Sequence, residues 1–194
     1  MIDVLLRIRT SSDWLIASSR GGGEADIQPL VDDRGLPIIP GRSLRGLLRS
    51  AMREASSLID PSLEDAIFGV EGSEGRVAIG DARLPAAIIA AIEADDASTK
   101  DLFTVRRRTA IDPTTGTARP GSLRAIEVVV PGLVLHAPMQ VTDADDLPRL
   151  ALSASLIRRI GMGRSRGLGR CTVDLLQNGS IVPIDAVLAT GGAA

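Results

Sequence analysis

The stretch GMGRSRGLGR (161–170) interleaves Gly161, Gly163, Gly167 and Gly169 with Arg164, Ser165, Arg166 and Arg170. Glycines let a backbone come close to a phosphate and expose N–H groups as an anion cradle. Arginine adds charge-assisted hydrogen bonds whose forked geometry suits phosphate. The stretch predicts a loop that holds a nucleic-acid backbone; the alternative is a tight structural turn with solvated arginines. It is not a dinucleotide fingerprint, which follows a strand and opens a helix; this stretch follows a helical pattern and precedes the strand-like CTVDLLQ. A second arrangement, Ser43, Arg45 and Arg49, falls at or near a helix start, where unpaired N–H groups and the dipole favour phosphate. There the alternative is that Ser43 caps the helix and the arginines face water. One cysteine, Cys171, and one histidine, His136, exclude a zinc site of the Cys/His type. His136 lies in an apolar run and reads as structural rather than catalytic.

These residues need elements to place them. IDVLLRIR (2–9) is short, apolar and partly alternating, which predicts a strand. A polar, glycine-rich stretch to about residue 33 follows. After Pro40-Gly41, the residues Leu44, Leu47, Leu48, Ala51, Met52 and Ala55 recur with helical spacing. GRVAIGDARL (75–84) reads as a strand, and PAAIIAAIEA (85–94) as a short helix or an irregular apolar segment. DPTTGTARPG is turn-rich and flanked by FTVRRRT and LRAIEVVV, so a projecting hairpin is expected at about 95–130. LVLHAPMQV reads as a strand, Leu147, Leu150, Ala151, Ala154 and Ile157 mark a second helix, and CTVDLLQ closes as a strand. With the hairpin set aside, the order is β-α-β-β-α-β. The expectation is a single α+β domain over 1–194, ferredoxin-like (RRM-like), with two helices on one face of an antiparallel sheet.

Composition narrows the function. The 194 residues carry a net charge of -2, so bulk electrostatics do not announce a nucleic-acid binder. Distribution says more. Lys100 is the lone lysine among 22 basic residues, and the arginines bunch at 42–53, 106–108 and 158–170. Aromatics are limited to Trp14, Phe68 and Phe103, which argues against base-stacking platforms and for backbone contacts. No charged-then-apolar leader and no apolar run of the ~20 residues a span needs is present, so a cytoplasmic, membrane-free protein is expected.

Three stretches in this order resemble the RAMP proteins of CRISPR systems. IPGRSLRGLLR (39–49) is similar to that family's Pro-Gly-x-Ser-Leu helix opening. AIDPTTGTARPGSLRAIEVVVPG (110–132) is similar to its Ile-Asp-x-x-Thr-Gly-x-Ala segment, followed by a Glu-containing strand and Pro-x-Gly. GMGRSRGLGR is similar to its C-terminal glycine-rich loop. The likeness spans most of the chain and is nearest to the backbone subunit of type III effector complexes, an antiviral RNA-guided machinery.

The resemblance implies guide RNA (crRNA) and target RNA as partners, together with other effector subunits and copies of the chain itself. It implies a thumb around Ile111, Asp112 and Thr115 that enters the guide–target duplex, with a plain surface loop as the alternative. It also implies a single cleaving aspartate after the first strand, for which Asp26, ahead of Pro29, is the candidate; Glu24, Asp32 and Asp33 compete. A carboxylate there would hold a hydrated divalent ion, expected to be Mg2+, or assist proton movement at a 2′-hydroxyl; otherwise Asp26 is a turn former. A structural or capping RAMP subunit that does not cut is the alternative function. A guide-processing RNase ranks lower, since such enzymes use an early histidine and a doubled fold.

Overall fold

In β1 (Ile2–Thr10), Val4, Leu6, Ile8 and Thr10 are buried on one side, while Asp3, Arg7 and Arg9 occupy the other, as a two-residue period requires. The remaining elements are α1 (Gly41–Glu54), α2 (Leu63–Phe68), β2 (Val77–Ile79), α3 (Ala86–Ala94), β3 (Phe103–Arg108) and β4 (Arg124–Val129). They are followed by β5 (Val134–Val141), α4 (Asp146–Leu156), β6 (Cys171–Gln177), β7 (Ser180–Ile181) and α5 (Asp185–Gly191). The computed structural model describes residues 1–18, 25–55, 58–94, 99–119 and 121–191.

The strands form two antiparallel sheets. The larger is ordered β2-β5-β1-β6-β7, with Leu6 of β1 opposite Ala137 of β5 on one side and Leu175 of β6 on the other. The smaller pairs β3 with β4, from Phe103 opposite Val129 to Arg108 opposite Arg124. Helices α1 and α4 lie against the buried face of the larger sheet. Leu44, Leu48 and Met52 of α1 and Leu147, Leu150 and Ala154 of α4 join Leu6, Ile8, Leu135, Met139, Val173 and Leu175 in one core. Burial of each large aliphatic side chain there is worth about 1.5–3 kcal/mol. The opposite face is polar: Arg7 and Arg9 both pair with Asp174, at 3.0 and 2.9 Å.

Several expectations are revised. Pro40, not Ser43, is the N-cap of α1; Ser43 sits within the first turn, and its N–H donates to the Pro40 carbonyl (2.9 Å). The cap comes from a distant segment, since the Gly41 N–H donates to the Asp81 carboxylate at 2.9 Å. The strand expected over 75–84 is regular only at Val77–Ile79; pairing with β5 resumes at Arg83 opposite His136 in a shifted register, while Ala82 exchanges both backbone hydrogen bonds with Ile39 on the other side. PAAIIAAIEA is the helix α3 rather than irregular chain.

Helix α2 has no strong periodic signal; Ile67 and Phe68 anchor it in the main core, and charge ties it to α1. Its buried Glu64 accepts from Arg53 at 2.6 Å and also pairs with Arg49. At the start of α4, Asp146 is fully buried, and burial raises its carboxyl above the usual range against the opposing pull of Arg76, whose Nε lies 3.1 Å away. No helix among the described residues is long and apolar enough to cross a membrane.

Candidate nucleic-acid interface

The segment leaving β1 is a shared spine between the glycine-rich loop and β4. An extended chain points successive carbonyls to opposite sides, and this one uses both. Toward the loop, the Asp13 carbonyl accepts the Gly169 N–H and the Leu15 carbonyl accepts the Met162 N–H, both at 2.7 Å. Ser12 Oγ accepts the Arg170 N–H at 2.9 Å. Toward β4, Trp14 exchanges two backbone hydrogen bonds with Val129, at 3.0 and 2.8 Å. Farther along, Asp26 N–H donates to Ala125 and Glu127 N–H donates to Ile27, at 2.8 and 2.9 Å.

The glycines of the loop answer first to this stitching. Gly161 has φ +69, and a Cβ there would lie 2.2 Å from the Leu15 carbonyl oxygen; Gly169 has φ +74, and its Cβ would lie 1.9 Å from that of Ile160. Both are fixed by left-handed backbone and close approach. Gly163 and Gly167 bracket a single 3-10 turn, Arg164–Arg166. Much of the loop's N–H capacity is thus spent inside the fold, and its outward chemistry belongs to side chains. Arg164, Ser165, Arg166 and Arg170 are exposed, and none of these arginines pairs with a carboxylate among the described residues.

Between this loop and the β3–β4 pair runs a groove of about 790 Å³. Its floor is apolar, with Leu15, Ile126 and Leu168 forming a small cluster separate from the main core and Ile27 against it. Its polar lining includes Arg108, Arg119, Arg124 and Arg166 and, among the described residues, contains no acid. Register explains the convergence: Arg108 is opposite Arg124 and Arg106 opposite Ile126, and cross-strand partners share a face. A second recess of about 450 Å³ continues past Arg108 and Arg166 to Asp13, Arg106 and Arg107.

Asp26 is exposed at the edge of β4, next to the groove-lining Ile27. Its Oδ2 accepts the Ala125 N–H at 2.9 Å; its other oxygen accepts no hydrogen bond among the described residues. Asp32 is committed elsewhere, accepting from the Arg34 and Leu36 N–H groups at 3.0 Å and from Arg83 at 2.9 Å. Asp33 is exposed, and Glu24 lies outside the described residues.

Ser43 lines a recess of about 600 Å³ with Gly46, Ser50, Gly161 and Arg164, so α1 and the glycine loop do meet. Arg45 and Arg49 turn instead to α2: Arg45 donates to the Phe68 carbonyl, and Arg49 pairs with Glu64 and, at 2.7 Å, with Asp65. In the turn between β3 and β4, Asp112 accepts the Thr114 N–H at 2.8 Å and the Thr115 N–H at 3.4 Å. Ile111 is 59% exposed beside it. His136 lies on β5, away from the groove, and is held below the usual histidine range by burial and by the charge of Arg7.

The residues that sequence reasoning left unassigned are Arg108, Arg119 and Arg124. The run at 106–108 was visible as a cluster, but hairpin register was needed to set Arg108 against Arg124.

The RAMP superfamily model matches residues 7–172, from β1 through the groove-forming segments into β6. The chain belongs to the RAMP superfamily. This RAMP chain is also similar to a chain in the cryo-electron-microscopy structure of the type III-B Cmr-beta bound to cognate target RNA. The two are 21% identical with a TM-score of 0.68, and the match covers 90% of this chain and 60% of that one. The RAMP chain therefore spans less than two thirds of its structural neighbour, and the likeness is one of fold. No curated protein matches the sequence.

Proposed function

We propose that the chain is an RNA-binding subunit of a type III CRISPR ribonucleoprotein effector complex, acting along its backbone and holding guide RNA by phosphate contacts. The observation that carries this reading is the groove in which Arg108, Arg119, Arg124 and Arg166 stand above an aliphatic floor, with no acid among the described residues that line it. Unpaired arginines bind phosphate in fork geometry, and the floor offers apolar cover without the aromatic rings that base stacking prefers. Kinship with the RAMP superfamily and the target-RNA-bound neighbour agree with it. The succession β1-α1-β2-β5-α4-β6, with β2-β5-β1-β6 side by side and antiparallel, supports reading a ferredoxin-like domain, with the β3–β4 pair as its thumb. Other effector subunits and further copies of the chain would complete the complex.

Target cleavage is the second part of the proposal. Attack of a 2′-oxygen on the adjacent phosphorus expels the 5′-oxygen and leaves a cyclic phosphate, and it needs in-line geometry and positive charge on the phosphate. The groove arginines would supply that charge, the Asp26 oxygen that accepts no hydrogen bond among the described residues would take up the 2′-hydroxyl proton, and water would protonate the leaving 5′-oxygen. Among the described residues no cluster of three metal-binding side chains exists, so a divalent cation would be shared between Asp26, RNA phosphates and water, a manner suited to Mg2+. Such an ion would neutralise charge on the phosphate.

The test is to purify the assembled complex, sequence the RNA bound to it, and compare wild type with Asp26→Ala in target cleavage. Repeat-derived guides with cleavage lost and binding kept are the expected result. Unchanged cleavage by the variant would remove Asp26 as the cleaving residue; absence of bound RNA would remove the RNA-binding reading itself.

A further inference from the structure

Asp13 is the acid in the recess that extends the groove, among Arg106, Arg107, Arg108 and Arg166. Its side chain is only 10% exposed. Arg106 Nε donates to its Oδ2 at 2.7 Å, and a second guanidinium nitrogen approaches the same oxygen. Its carbonyl accepts the Gly169 N–H. One residue thus grips both walls: the main chain holds the glycine loop and the side chain holds β3. Among the described residues, no other ion pair ties β3 or β4 to the rest of the chain. The floor beneath consists of the small separate cluster of Leu15, Ile126, Val128 and Leu168, while the main core reaches the hairpin at its base through Val129 and Phe103.

A carboxylate in this place is a cost to RNA binding by charge alone. It cancels Arg106 and repels phosphate, so a merely basic track would be better without it. Its value has to lie in geometry. Arginines bind a phosphate chain tightly only when held at matching spacing, and an unpinned strand would give back that gain as ordering entropy on binding. We infer that Asp13 is a positioning residue, which through Arg106 fixes β3 against the glycine loop and so sets the spacing of Arg108, Arg124 and Arg166 for RNA. The inference rests on the RNA-binding reading above and adds to it the residue that orders the site.

The two accounts of Asp13 differ in sign. Asp13→Asn keeps the shape and an acceptor while removing the charge. If charge alone matters, the variant binds single-stranded RNA more tightly, and its slope of log affinity against log salt steepens by up to about 0.7. If Asp13 positions the arginines, binding weakens about tenfold despite the favourable charge change. Arg106→Lys is the companion variant. It preserves charge, so the electrostatic account predicts no change, whereas loss of the fork predicts weaker binding.

The measurement is fluorescence anisotropy of the full chain with labelled single-stranded RNA over a salt series, with circular dichroism and thermal melting of each variant. Weaker binding by folded Asp13→Asn and Arg106→Lys supports the inference. Equal or tighter binding by a folded variant overturns it while leaving the RNA-binding reading in place. If Asp13→Asn does not fold, Arg106→Lys decides by the same criterion. If wild type binds no RNA in this assay or in its complex, the functional reading falls, and the inference with it.

Discussion

At the residue scale, the arginines divide by partner rather than by position in the sequence. Arg49 and Arg53 are engaged by Glu64, and Arg106 by Asp13. Arg119, Arg124 and Arg166 line the groove with no carboxylate partner among the described residues. Replacing any of these three by Ala is expected to weaken RNA binding several-fold and to lower the salt slope by about 0.7, the share of one phosphate contact on a single strand. Arg49→Ala should leave that slope unchanged and lower thermal stability instead, because Glu64 keeps its burial and loses a partner. Salt-series binding alongside thermal melting checks both. Residue types and clusters were legible in the sequence. Which arginine is free was not, since that depends on acids contributed by distant segments.

His136 gives a pH dependence whose sign is fixed. Its folded pKa is depressed by burial first and by Arg7 second, so the folded chain resists a proton that the unfolded chain accepts. Its contribution is fully present above the unfolded value of about 6.5 and is lost as pH falls from there through the lower folded value. Melting temperature should fall over that window in wild type and fall less in His136→Gln; equal pH profiles would show that the imidazole does not titrate against the fold.

At the element scale, the glycine loop is a structural joint that displays arginines. Gly161→Ala and Gly169→Ala each force a left-handed residue against a backbone carbonyl. Each should destabilise by ~2 kcal/mol or more. Gly167 shares the left-handed backbone but has open space around it, so its Ala variant carries only the backbone strain, about 1 kcal/mol. Chemical denaturation of the three variants separates the cases; equal losses would mean that close approach is unimportant. The sequence made this loop conspicuous through its glycines. It could not say that two of them serve contact with Leu15 and Ile160 rather than phosphate. The Ser43 cap failed for a related reason, because Asp81, 40 residues beyond the Gly41 N–H it accepts, takes that place.

At the scale of the whole molecule, one sheet and two helices close over a core that contains Cys171, and the groove hangs on its edge. Burial pushes the Cys171 thiol up to about 11, so little thiolate exists near neutral pH. Native protein should resist iodoacetamide, and labelling should rise with denaturant in step with global unfolding, as mass spectrometry would read. Rapid labelling of the native chain would mean that β6 opens on its own, with the glycine loop beside it.

The sequence by itself determined the period of β1, α1, β5, α4 and β6, the position of the turn-rich segment, the glycine loop and the scarcity of aromatics. These follow from local geometry and side-chain type, which neighbours in the chain settle among themselves. Only the tertiary structure decided that Arg108, Arg119, Arg124 and Arg166 share a groove, that Arg45 and Arg49 face α2, and that Asp26 lies at the edge of β4. Those outcomes depend on strand register and on charge pairing between segments up to about 100 residues apart, where the partner that arrives first in space, not in sequence, determines what each side chain can do.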